Sequence, residues 1–124
     1  MNRLFVGLGA LNGFLGVALG AFGAHALRGK LGPGLAEVWQ TAVLYHLVHA
    51  IGLVLVGVTF LALPHATLLR WSGWLLVAGI LLFSGSLYLL VLTGMHWIGA
   101  VTPFGGAAFL AAWALLALAA WRST

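Results

Sequence analysis

The side chains with the most chemistry to offer are two histidines, His46 and His49, set three residues apart inside an apolar run. On a helix that spacing puts both imidazoles on neighbouring positions of one face. If the span begins near Gln40, His49 lies about 14 Å into the bilayer, close to its midplane. An ionisable residue at that depth is a functional-site candidate by default. The opposing reading is a neutral ring hydrogen-bonded between helices, to Asn12, Ser84, Ser86 or Tyr88, which would only fasten the structure.

His25, His96 and Glu37 fall in the same half of the expected bundle, whereas His65 falls in the other. Together with His46 and His49 they form a candidate polar or ligand site. Imidazole and carboxylate suit zinc, copper or nickel, and a histidine pair on one helix with a third ligand from another is workable geometry. The spacing is not H-E-x-x-H, so no catalytic signature is matched. Two axial histidines for haem fit less well, because His25 at a helix end and His49 at mid-membrane differ in depth.

Other chemistry is thinly represented. There are no cysteines, which removes disulfides and thiolate sites. Thr59, Ser72, Ser84, Ser86 and Thr93 can bond back to helix carbonyls or across helices. None has a base and orienter beside it. Phe83-Ser84-Gly85-Ser86-Leu87 lacks the G-x-S-x-G pattern of a hydrolase elbow, and no phosphate-binding glycine fingerprint occurs. No catalytic residue and no cofactor is assigned, and the chain reads first as a non-enzymatic packing or accessory membrane protein. The alternatives are a metal- or proton-handling, transport-type site on the histidines above and, third, a membrane enzyme acting on lipid or quinone, for which His and Tyr are present but no acid-base pair.

The elements that must position these groups follow from composition. Hydrophobic residues make up 64% of the 124 positions and charged residues 5%, against roughly 25% charged in soluble proteins. Five Lys or Arg and one acid, Glu37, cannot supply a polar shell, so the outer surface is apolar. The net charge of +4 does not indicate nucleic acid, since Arg3, Arg28, Lys30, Arg70 and Arg122 are scattered between apolar runs. That scatter is typical of charges that set membrane topology.

Apolar runs at residues 4–24, 41–63, 71–93 and 98–121 are each long enough to cross a ~30 Å hydrocarbon core. The expected fold is all-α: residues 1–124 form a single integral membrane domain of four transmembrane helices. Arg28, Lys30 and Pro33 break the first pair of runs, Pro64 and Arg70 the second. Gly94, His96, Gly99 and Pro103 weaken the last junction. The first run is longer than the roughly 7 to 15 residues of a signal-peptide core, and so reads as a retained span.

Four spans place Arg3, Arg70 and Arg122 on one face and Arg28 and Lys30 on the other. This tally favours cytoplasmic termini. Trp71, Trp74 and Trp121 on one side, with Trp39 and Trp97 on the other, read as interfacial belts. Trp113, inside the last run, is expected to pack or to face lipid.

Gly9, Gly13, Gly16, Gly20 and Gly23 recur at steps of four and three along the first run, leaving one helical face without side chains. Such seams let backbones approach closely in lipid, within the protein or in an oligomer; lining of a ligand path is the alternative. The expected partners are the bilayer and a homo-oligomer or larger membrane complex.

Several blocks carry a family resemblance. They are Gly20-Ala21-Phe22-Gly23-Ala24-His25-Ala26-Leu27, Trp39-Gln40-Thr41-Ala42 with Tyr45-His46 and His49-Ala50, Phe83-Ser84-Gly85-Ser86-Leu87-Tyr88, and Thr102-Pro103-Phe104-Gly105-Gly106. In order and spacing they resemble the small membrane proteins grouped as domain of unknown function 423, over nearly the whole chain. The resemblance implies a bacterial inner-membrane protein with four predicted spans and relatives in eukaryotes. It brings no established activity and no catalytic residues.

Overall fold

A chain this apolar must satisfy its backbone polar groups internally wherever it meets lipid, and helices do so within one segment. The structure is a computed structural model that describes residues 1–122. It contains α1 (Asn2–His25), α2 (Leu35–Thr59), α3 (Ala66–Gly79), α4 (Gly85–Thr93) and α5 (Thr102–Trp121). A π-helical turn, Ile80–Ser84, joins α3 to α4, and a 3-10 turn, His96–Ala100, leads into α5. Four stretches are long and apolar enough to span: Asn2–His25, Leu35–Thr59, Ala66–Thr93 and His96–Trp121. The protein is a multi-pass helical membrane protein, with no strand among the described residues.

The stops are local. Gly34 precedes α2 and Gly94 follows α4, each with φ in the left-handed region (78° and 73°) that only glycine adopts without strain. Pro64 precedes α3, and Pro103 sits in the first turn of α5, where its missing N–H has no partner to lose.

Helix α2 begins at Leu35 rather than near residue 41, and ends at Thr59 rather than 63. Its first turns carry Glu37 and Gln40, so the apolar run marks the part in lipid and not the whole helix. The third span likewise begins at Ala66 rather than 71.

Helix α1 packs along α2, α5 packs along α3 and the π turn, and α2 also meets α3, the π turn and α4. The central position of α2 shows in its burial: 44% of its span window is buried, against 17% for α1 and 22% for α5. Phe5, Leu53, Val56, Leu69, Leu76, Ile80 and Phe109 form the larger core, and Trp39, Ala42, Tyr88 and Val91 a second one. Leu11, Phe14, Ile51, Leu81 and Leu110 are exposed and face outward, as side chains in contact with acyl chains must.

Trp39 departs from the interfacial belt. It is 3% exposed, and its indole N–H donates to the Leu19 carbonyl at 2.9 Å. The space it fills comes from Gly23, where a Cβ would collide with the indole ring. Trp71, Trp97 and Trp121 are well exposed. Trp113 does both things expected of it: 37% exposed, it also lies against Gly52 and His49.

Candidate functional site

The glycine seam of α1 brings α2 close enough for side chains deep in the span to meet. A Cβ at Gly9 would lie 2.7 Å from the Ala50 carbonyl oxygen, and one at Gly16 2.7 Å from Leu47 Cδ2. Gly20 and Gly23 face Val43 and Trp39. Gly13 is the exception, with nothing within 4 Å of its would-be Cβ.

Beside Gly13 stands Asn12, whose side-chain N–H donates to the Leu8 carbonyl at 2.8 Å. This contact orients the amide, because a carbonyl only accepts. Asn12 Oδ1 is therefore the atom that faces His46 Nε2, at 3.0 Å. An amide oxygen also only accepts, so Nε2 carries the proton. In the neutral ring Nδ1 is then a lone pair, and it accepts from the Tyr88 hydroxyl at 2.9 Å. The result is a one-way chain of hydrogen bonds from α4 through α2 to α1: Tyr88 to His46, His46 to Asn12, Asn12 to Leu8.

His49 faces another neighbour. Its Nδ1 donates to the Tyr45 carbonyl one turn back, at 2.7 Å. Its ring stacks on Phe109 of α5, centroids 3.5 Å apart and planes 7° from parallel. Tyr45, Phe83 and Trp113 complete an aromatic cluster around it. His49 Nε2 has no hydrogen-bond partner among the described residues. The ring lines a recess of about 290 Å³ with Leu44, Tyr45 and Val48.

Of the five candidate site residues, only His46 and His49 are buried, each 4% exposed. They look in different directions, one toward Asn12 and Tyr88 and the other toward Phe109. His25 is exposed at the end of α1, Glu37 is exposed in the first turn of α2, and His96 is exposed in the 3-10 turn. The expected polar centre joining His25 to the helix-two pair does not form, because His25 comes at the wet end of its helix. Among the described residues no three His, Asp or Glu side chains are grouped so as to hold a metal ion.

Three further polar contacts tie helices together, through Ser72, Ser84 and the Ser86–Thr102 pair. Ser72 donates to the Ala112 carbonyl at 2.8 Å, and Ser84 to the Ala42 carbonyl at 2.7 Å. Ser86 donates to the Phe83 carbonyl at 2.9 Å, which leaves the Thr102 hydroxyl to donate to Ser86 Oγ at 2.6 Å. Thr59 and Thr93 bond back to carbonyls one turn earlier. Outside the spans, His65 Nε2 donates to the Arg122 carbonyl, tying the α2–α3 turn to the end of α5.

Sequence reasoning did not anticipate two features. One is the His49–Phe109 stack, which pairs residues sixty positions apart with no local signal. The other is an open groove of about 610 Å³ between the last turns of α1, the turn after it and the outer face of α2. Arg28 lies in its lining.

The arrangement has known relatives. Residues 19–106 match the family described as "Protein of unknown function (DUF423)". The chain is 47% identical to the UPF0382 membrane protein YwdK of Bacillus subtilis (strain 168) over 118 residues, 95% of this chain and 96% of the relative. It is 43% identical to the UPF0382 membrane protein SH2409 of Staphylococcus haemolyticus over 120 residues, 97% of each chain. A Staphylococcus aureus (strain bovine RF122 / ET3-1) relative, UPF0382 membrane protein SAB0533, is 42% identical over 120 residues, again 97% of each. No solved structure matches. With a family match over most of its length and relatives aligned nearly end to end, this chain belongs to the DUF423 family of membrane proteins of unknown function.

Proposed function

We propose that this is a non-enzymatic accessory protein of the bacterial inner membrane, working within a homo-oligomer or a larger membrane complex, with both termini in the cytoplasm. In this reading His46 is a fastener between helices rather than a reactive group. The observation that supports it is the one-way chain through His46. A general base or a metal ligand needs a free lone pair, and the Tyr88 hydroxyl occupies the one that His46 has. A proton relay needs an exit, and this chain ends on the Leu8 carbonyl within α1. Arg3, Arg70 and Arg122 against Arg28 and Lys30 support the orientation.

A second reading, ligand binding at helix two, rests on His49 alone, whose Nε2 keeps an unpartnered lone pair. Elemental analysis of metal-supplemented protein separates the two. For the fastener, His46→Ala lowers the unfolding midpoint, and neither parent nor variant retains stoichiometric metal. Stoichiometric divalent metal in the parent that a still-folded His46→Ala protein loses would overturn the fastener, whereas metal lost only in His49→Ala would favour the second reading.

A further inference from the structure

The groove between α1 and α2 has a shape and a charge that the His46 chain does not use. It is lined on the α1 side by Gly20, Gly23, Ala24 and Leu27, and between the helices by the Trp39 indole, which takes the room left at Gly23. Its α2 wall is a single helical face running from Ala36 through Gln40 to Leu47. Trp39, Val43 and Leu47 on the inner edge of that face meet α1, whereas its outer edge has no helix over it: Ala36 and Gln40 are exposed, and Leu44 is 58% exposed. From Ala36 to Leu47 the wall extends about 16 Å along the helix. One leaflet of a bilayer has a hydrocarbon thickness of about 15 Å, half of the roughly 30 Å core.

The two ends differ. The inner end is lined by Val43, Leu44 and Leu47, whereas the outer end is at the turn between the two helices and carries Arg28. Arg28 is exposed and has no carboxylate partner among the described residues. Glu37, the only acid of the chain, is on α2 between Ala36 and Gln40 but does not line the groove. The positive potential at the start of α2 is offset by Glu37 in its first turn, so Arg28 is the cation that the groove lining presents.

We propose that this groove binds one anionic phospholipid of the surrounding bilayer, with an acyl chain along Trp39, Val43, Leu44 and Leu47 and the phosphate on Arg28. The volume, about 610 Å³, is within the roughly 300–1,000 Å³ of small-molecule sites. A guanidinium holds a phosphate with two parallel N–H donors, and a neutral zwitterionic headgroup offers the same phosphate with its charge already balanced. The inference stands apart from the role of His46.

Trp39 provides the probe, since it lines the groove and the other five tryptophans, which lie outside the lining, are each at least 37% exposed and are replaced by phenylalanine. The full chain with Trp39 as its single tryptophan is reconstituted in vesicles of mixed phosphatidylglycerol and phosphatidylcholine, with brominated chains on one lipid at a time. Brominated phosphatidylglycerol should compete for the Trp39 site about five-fold better than brominated phosphatidylcholine. Arg28→Gln should remove that preference, and Lys30→Gln, outside the groove lining, should keep it. Equal quenching by the two lipids overturns the proposal. So does loss of quenching as protein density rises, which would place a second copy in the groove. Native mass spectrometry of the six-tryptophan protein gives an independent reading: retained phosphatidylglycerol that Arg28→Gln loses supports the site, and equal retention by both proteins overturns it.

Discussion

His46 and His49, one turn apart on α2, carry their protons on opposite ring nitrogens. His46 is protonated at Nε2, because its partner there is the Asn12 amide oxygen. His49 is protonated at Nδ1, because its partner is the Tyr45 carbonyl. Nitrogen NMR of histidine-labelled protein should resolve one ring of each tautomer in the spans. Finding both in the same neutral form would contradict the hydrogen-bond assignment.

Tyr88 and Asn12 should be energetically coupled although they never touch, because each fixes the orientation of the His46 ring for the other. Interhelical hydrogen bonds in a membrane protein average about 0.6 kcal/mol and reach about 1.7. Tyr88→Phe and Asn12→Ala should each destabilise by an amount in that range, and the double variant by less than the sum. Unfolding in mixed micelles measures all three. Strict additivity would mean that the chain is two separate contacts.

Two glycines on the α1 seam should respond differently to the same added methyl. At Gly9 a Cβ meets backbone, 2.7 Å from the Ala50 oxygen, so Gly9→Ala must separate α1 from α2, with an expected loss of about 1 to 3 kcal/mol. At Gly13 the space is open, and Gly13→Ala should be neutral or stabilise by up to about 1 kcal/mol through helix propensity. Equal effects in an unfolding assay would show that the seam is not in close contact.

Both termini should report from one side of the membrane, and the basic residues favour the cytoplasm. Reporter fusions at residue 1 and residue 124 test this. Termini on opposite sides would exclude four crossings, whereas both outside would reverse only the orientation.

The sequence disclosed the four spans because hydropathy is a sum over some twenty residues, robust to any one of them. Partners such as Asn12 and Tyr88 were also legible as candidates, since few polar groups exist at that depth. Helix ends were less legible: Leu35 to Gln40 are helical but too polar to register as a span. His25, Glu37 and His96 were grouped with the inner histidines by membrane half alone. Membrane half does not specify depth, and depth is what keeps them apart: all three come at helix ends or turns, whereas His46 and His49 lie within α2. Trp39 was misplaced for another reason, since its burial depends on Gly23 opposite.

The π turn at Ile80–Ser84 has a consequence for how tightly this protein's length is constrained. In a regular helix one added residue turns everything after it by about 100°, whereas a π turn takes the added residue up in its wider loop and leaves the flanking faces in register. Ser72, upstream, is aimed at α5, and Tyr88, downstream, is aimed at α2. The turn thus absorbs one residue inside a rod whose two halves address different neighbours. Removing any one residue from this turn would restore a regular helix and leave the Tyr88 hydroxyl facing His46. In this family a gap within residues 80–84 should therefore be tolerated without a change at position 46.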